Sequence, residues 1–214
     1  DGTPLFLVLA AAYYERTGDE EFLRSIWPNV LAALEWVDRY GDRDGDGFVE
    51  YARQNDNGLV QQGWKDSNDS VFHADGQLAV GPIALCEVQS YVYAARRGIA
   101  TVARDLGRHE LAHKLEQQAA ELRTAFDKAF WCEELSVFAL ALDGETKQCR
   151  VRGSNGGHCL FSGIATEARQ RALSQALHTA LVPDVAERDR ALSSELRPDG
   201  AERAALALVE RVGA

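Results

Sequence analysis

Methionine is absent from all 214 residues, and the chain opens at Asp1, so it reads as a piece of a longer protein rather than a natural start. Basic residues are scarce: 23 Lys and Arg stand against 33 Asp and Glu, a formal charge of −10. A polyanion would on average be repelled, which argues against nucleic acid as a partner. No apolar run approaches the roughly 20 residues needed to span a bilayer, and no basic-then-apolar leader opens the chain. A membrane partner is not expected, and the cytoplasm is the default location. The four cysteines, Cys86, Cys132, Cys149 and Cys159, lack both the paired spacing of a zinc site and the density of a disulfide scaffold. No Trp or Tyr follows Trp131, and no repeat of fixed period runs through the chain.

What is present is ordinary globular composition, 46% hydrophobic and 26% charged, enough to build one domain with a core. Thr3-Pro4 supplies a cap and a favoured first helical residue, and the apolar run that follows stops at Thr17-Gly18. Asp19 caps a second helix with Ile26, Trp27, Val30, Leu31, Leu34 and Val37 at three- and four-residue steps. A long polar loop spans Gly41 to about Gly81, a length uncommon inside a compact domain unless it is functional. Pro82 opens a third helix to about Ala103, and Leu111, Leu115, Ala119, Leu122, Phe126 and Phe130 mark a fourth. Val137–Leu142 and Gln148–Val151 flank Asp143-Gly144 as a short β-excursion. Further helices are expected over Glu167–Leu181 and Asp199–Val212. Hairpins of this kind must bury apolar faces on neighbours, and unequal loops favour a ring over a solenoid. The expected fold is all-α: one domain, a partial (α/α)6 toroid of helical hairpins with a short β-hairpin excursion.

Two stretches of the long loop carry chemistry. In Asp42-Arg43-Asp44-Gly45-Asp46-Gly47-Phe48-Val49-Glu50-Tyr51, oxygen-bearing side chains alternate before a Gly, as at the start of a calcium loop. The twelfth position is Arg53, so a full EF-hand does not fit. Asp42, Asp44, Asp46 and Glu50 remain candidate ligands for a structural calcium in another geometry, beside the alternative of a Gly/Asp turn bonded to its own backbone. In Gln61-Gln62-Gly63-Trp64-Lys65-Asp66-Ser67-Asn68-Asp69-Ser70, an aromatic face sits among carboxylates, amides and hydroxyls, the inventory that a sugar site needs. Glycoside hydrolysis needs one carboxylic acid for the leaving oxygen and a second carboxylate on water or the anomeric carbon, and Asp66 or Asp69 qualifies as the acid.

Together with Thr3-Pro4-Leu5-Phe6 and Ser154-Asn155-Gly156-Gly157-His158, these motifs resemble bacterial amylo-alpha-1,6-glucosidases or glycogen-debranching-type proteins over about residues 1–170. Such proteins are similar to the (α/α)6-barrel glycosidases that include glucoamylases, trehalases and mannosylglycerate hydrolases. The resemblance implies inverting hydrolysis of α-glucosidic bonds in an oligosaccharide substrate, with no cofactor required. It places the general acid at Asp66, Trp64 and Lys65 at the sugar, and Glu50, Tyr51, Asp69, Glu87, Asn155 and His158 around the pocket. The base, in such barrels a late Glu, has no counterpart here, because residues 171–214 turn Ala-, Arg- and Glu-rich. The second half of the barrel is therefore expected to be missing, the fragment inactive alone, and its open faces prone to self-association. Two other readings stand beside this one. One is a sugar isomerase or epimerase using His73 and His158 on the same barrel; the other is a non-catalytic glycan-binding helical module.

Overall fold

A computed structural model describes residues 1–180 of the protein. It divides into two compact units, 1–173 and 174–214, and the described part of the second is the end of one helix. Among the described residues, six α-helices stand beside only two two-stranded sheets, the expected mostly helical partial toroid. No described helix is long and apolar enough to cross a membrane.

Helix α1 (Gly2–Thr17) starts two residues earlier than the Thr3-Pro4 signal suggests, with Asp1 at the cap position. Pro4 is tolerated because the first turn leaves its N–H positions unbonded in any case. Gly18 ends the helix at φ 65°, donating its N–H to the Tyr14 carbonyl at 2.8 Å. Asp19 then caps α2 (Glu20–Trp36), its carboxylate accepting from the Phe22 N–H at 2.9 Å. The spacing of Leu23, Trp27, Val30 and Leu34 puts all four on the buried stripe. A π-helical turn, Val37–Gly41, follows directly and hands the chain to the long loop.

Helix α3 (Cys86–Asp105) is the central element, with Cys86 through Tyr93 buried without interruption. It begins after the point that Pro82 signals, because Ile83 to Leu85 are drawn into extended pairings. Ile83 bridges Tyr51, and β1 (Ala84–Leu85) pairs antiparallel with β4 (Ala141–Leu142). Those partners are distant in sequence, so tertiary pairing overrides a local helix-start signal. Gly98 lets α1 approach α3 closely: a Cβ there would lie 2.6 Å from the Ala11 Cβ.

Helix α4 (His109–Phe130) packs back on α3 after the turn at Gly107 and ends in an aromatic cluster. Phe126 lies 4.6 Å from Phe130 and 4.7 Å from Phe138, centroid to centroid, and Phe48 of the long loop stands 5.1 Å from Phe130. The loop is thus nailed to the core at Phe48. The β-excursion is split between two sheets: β2 (Trp131–Cys132) pairs with β3 (Val137–Phe138), while across Asp143-Gly144 Leu142 bridges Gln148 and Cys149 bonds the backbones of Leu140 and Ala141. A short helix α5 (Gly156–Ser162), absent from the sequence reading, precedes α6 (Glu167–Ala180). The helix expected over Asp199–Val212 lies outside the described residues.

Candidate functional site

The Asp/Gly stretch folds as a tight loop closed by its own carboxylates. Asp42 accepts from the Gly45 and Gly47 N–H groups at 2.7 and 2.9 Å, Asp44 from Asp46 at 3.1 Å, and Asp46 from Phe48 at 2.8 Å. Gly45 and Gly47 sit at φ 84° and 92°, a region that other residues enter only with strain. One oxygen each from Asp42, Asp44 and Asp46 lies within 4.8 Å of the others. Glu50 is buried beside them with Oε2 meeting no hydrogen-bond donor. Burial first, then the charges of Asp44, Asp46 and Asp42, push its carboxyl up to about 7 against a backbone hydrogen bond from Arg43. Glu50 also borders a 230 Å³ cavity with Trp36, Tyr40 and Arg43.

Tyr51 leads from this loop to the next. Its backbone bonds Ile83 in both directions, and its hydroxyl donates to Gln61 Oε1. Burial, then the charges of Glu87 and Cys149, keeps the phenol well above its ordinary range. Gln61 is itself buried and donates to the Asn68 carbonyl at 3.4 Å, while Ser70 donates from its hydroxyl to the Lys65 carbonyl at 2.9 Å. The segment Gly63 to Asp69 is therefore shaped from below. Gly63 presses on the start of α3: a Cβ there would lie 2.1 Å from Leu85 Cδ1 and 3.0 Å from Glu87 Oε1. A side chain at this position would have to push the buried Leu85 and Glu87 side chains aside, so glycine suits the packing.

On that support Trp64 projects with 60% of its surface exposed, its ring 5.0 Å from the His158 imidazole. His158 Nδ1 lies 2.7 Å from the Tyr91 hydroxyl, and burial followed by the charge of Glu87 pushes that phenol up to about 12. Glu87 is fully buried in the first turn of α3; Oε2 accepts from the Cys86 thiol at 3.6 Å and Oε1 meets no donor. Asn155 is 2% exposed, its Oδ1 unpartnered; a Cβ on Gly153 would lie 3.4 Å from that oxygen and 3.5 Å from Lys65 Nζ. Trp64, Lys65, Glu87, Asn155 and His158 thus gather round one place, with Tyr51 one hydrogen bond removed. Asp66 and Asp69 are exposed on the same segment, with no hydrogen bond or ion pair to another described residue.

His73 lies elsewhere in the network. Its Nε2 is 3.1 Å from Asp143 Oδ2 and 3.9 Å from the Cys149 sulfur. The trio is not an activated nucleophile, because acid and thiol share one ring nitrogen and burial pushes the Cys149 thiol up to about 11. Tyr91 and Gln89 escaped the sequence reading, and Gln61 was quoted in its motif without a role of its own. Tyr91 stands one helical turn beyond Glu87 on the same face, a four-residue spacing that could have found it. Gln61 and Gln89 had no such signal. Gln89 clamps Val49 by accepting its N–H at 2.8 Å and donating to its carbonyl at 2.7 Å, across 40 residues of chain.

The geometry can be set against known proteins. The family model described as "Mannosylglycerate hydrolase MGH1-like glycoside hydrolase domain" matches residues 3–183. No curated protein matches. Among solved structures, a GH78 family rhamnosidase of Bacillus sp. GL1 is similar at a TM-score of 0.63 and 18% identity, over 84% of this chain and 17% of that one. A sialidase is similar at a TM-score of 0.59 and 15% identity, over 78% of this chain and 14% of that one. At such identities the likeness is one of fold, and the chain spans less than a fifth of either structure.

Proposed function

The chain belongs to the mannosylglycerate hydrolase MGH1-like glycoside hydrolase domain family, and from that premise we propose that it contributes the acid-bearing half of an inverting glycosidase site. Asp66 is the general acid in this reading, and the bond cleaved is an α-glucosidic one of the amylo-alpha-1,6 type. The observation that carries the proposal is the exposed indole of Trp64 with an unengaged carboxylate two residues further on, in a segment held by Gly63, Gln61 and Ser70.

The chemistry follows from those positions. Trp64 offers an apolar face to the C–H surface of a sugar ring, with His158 and its Tyr91 partner alongside. Asp66, free of internal partners, is available to protonate the leaving oxygen. An inverting enzyme holds its second carboxylate about 6.5–9.5 Å from the acid, with the water between them. None of the described residues is assigned that role.

A second substrate has one observation in its favour. Lys65 is a cation with no ion pair among the described residues, its ammonium beside Gly153, and would suit a carboxylated aglycone such as the glycerate of a mannosylglycerate.

The test is hydrolysis of isomaltose, maltooligosaccharides and mannosylglycerate by a protein carrying the domain, beside its Asp66→Asn variant, with the released anomer read by NMR. The proposal expects β-glucose as the first product from an α-linkage and a loss of about 10²–10⁴-fold in kcat on removing the acid. Unchanged turnover in Asp66→Asn would refute the acid assignment. Saccharide binding without turnover would leave a glycan-binding module in its place.

A further inference from the structure

A neutral imidazole carries one proton on two ring nitrogens, so it offers a ligand either a donor or an acceptor. Which of the two it offers is set by the hydrogen bond that the other nitrogen makes. In His158 that other nitrogen is Nδ1, 2.7 Å from the Tyr91 hydroxyl, with the two rings edge to face at 5.6 Å. Tyr91 is 3% exposed, and burial pushes its phenol up to about 12, so the hydroxyl keeps its proton at neutral pH. A buried hydroxyl proton needs an acceptor. Glu87 Oε1, one helical turn back, is not that acceptor, because it meets no donor, and among the described residues the Tyr91 oxygen has no hydrogen-bond partner besides Nδ1. If Nδ1 carried the proton, it would point at the phenol oxygen and leave the phenol hydrogen stranded.

The backbone around His158 is fixed as well. Its N–H donates to the Asn155 carbonyl at 3.1 Å, its carbonyl accepts from the Ser90 hydroxyl at 3.3 Å, and the thiol of Cys159 faces the Cys86 carbonyl at 3.9 Å. Cys86, Ser90 and Tyr91 all belong to α3, so one rigid element holds the imidazole in place and in rotation. Nε2 points to the opposite side of the ring from Nδ1. It meets no hydrogen-bond partner among the described residues and is not a buried atom, His158 being half-buried. The exposed Trp64 ring stands 5.0 Å from the imidazole. The other described histidines differ: His73 Nε2 is taken by Asp143, and His109 and His113 are exposed on α4.

We infer that Tyr91 is a positioning residue that holds His158 as the Nε2–H tautomer, so that one N–H donor stands beside the Trp64 indole for a hydroxyl or ring oxygen of the ligand. An indole face accepts many sugar rings in many rotations, whereas a fixed donor selects the ring that brings an oxygen to one place. The donor role rests on the saccharide reading of the site, and the tautomer does not.

The experiment is long-range proton–nitrogen NMR on the chain labelled with ¹⁵N-histidine and ¹⁵N-tryptophan, at a pH where His109 and His113 are neutral, without and then with isomaltose. His158 is expected as a single tautomer, Nδ1 unprotonated and hydrogen-bonded, while His109 and His113 show averaged nitrogens. In Tyr91→Phe the His158 Nδ1 signal should move toward those of the exposed histidines, and retained dispersion of the labelled amides shows that the variant folds. Isomaltose should shift the His158 Nε2–H together with the Trp64 indole N–H, and should bind Tyr91→Phe about three- to tenfold more weakly, the worth of one hydrogen bond. Nδ1–H as the main form in the parent, or an Nδ1 signal that Tyr91→Phe leaves in place, would overturn the inference. So would a saccharide that moves the Trp64 indole and leaves His158 untouched. If isomaltose moves neither ring, the saccharide reading fails and takes the donor role with it, while the tautomer is judged on its own signal.

Discussion

Asp38 and Glu50 lie a short way apart in the chain, one exposed and one buried, and the protein treats their carboxylates in opposite ways. Asp38, on the π-turn, receives Arg96 and Lys114 at 3.1 Å each and Gln118 at 3.1 and 3.3 Å. Burial pushes its carboxyl up, but the hydrogen bonds from Gln118 and Lys114 and the Arg96 charge outweigh that and hold it below the ordinary range. Glu50 receives no cation and is pushed up. The helical scaffold pairs Arg123 with the Ile164 and Ala165 carbonyls but leaves Trp27 Nε1, Arg96 Nε and Gln118 Oε1 buried without a partner. The loop face leaves Glu50, Glu87 and Asn155 with open oxygens. Buried polar atoms are expensive to leave unsatisfied, and among the described residues they are shared between the scaffold and the loop face.

Substitutions in the aromatic core and on the exposed Trp64 segment should separate stability from function. The largest stability effect is expected at Phe126, fully buried between Phe130 and Phe138. Phe126→Ala should cost about 3–5 kcal/mol in urea unfolding. Trp64→Ala, with a ring mostly in solvent, should stay within about 0.5 kcal/mol of the parent while weakening saccharide binding. Equal losses at the two positions would break the comparison.

A smaller effect sharpens it. Asp38→Asn should cost about 1–2 kcal/mol at pH 7, discounted for the partial exposure of its partners. Because the folded-state pKa lies below the unfolded one, this contribution is complete above the unfolded value of 3.8 and is lost as pH falls through the folded value. Melting curves of parent and variant should therefore converge below about pH 4. A difference that persists undiminished at pH 2.5 would mean that shape rather than charge sets the cost.

The parts of this arrangement legible in the sequence were those specified locally. Helices α1, α2 and α4 announce themselves through Gly18, the Asp19 cap and the Leu111-to-Phe130 periodicity. The start of α3 did not, because Ile83 to Leu85 are claimed by Tyr51 and by β4, partners that no window along the chain contains. Helix α5 opens on Gly-Gly and offers no periodic stripe. For the site, the Trp64 segment and Asn155 with His158 could be singled out as motifs and are brought together by the fold. The groups that shape them, Gln61, Gln89 and Tyr91, are ordinary residues made important only by packing. His73 drew notice as a loop histidine, but its partners are Asp143 and Cys149, which only the folded chain reveals.

The central claim, that the exposed Trp64 segment with Asn155 and His158 is a saccharide site, is tested most directly by NMR titration of the ¹⁵N-labelled chain with isomaltose. The account predicts shift changes concentrated at Gly63 to Asp66, Asn155 and His158, with Asp38, Arg96 and Lys114 unmoved. Perturbations centred on the Asp38 network, or none at a saccharide concentration that saturates glycosidases of this family, would contradict it.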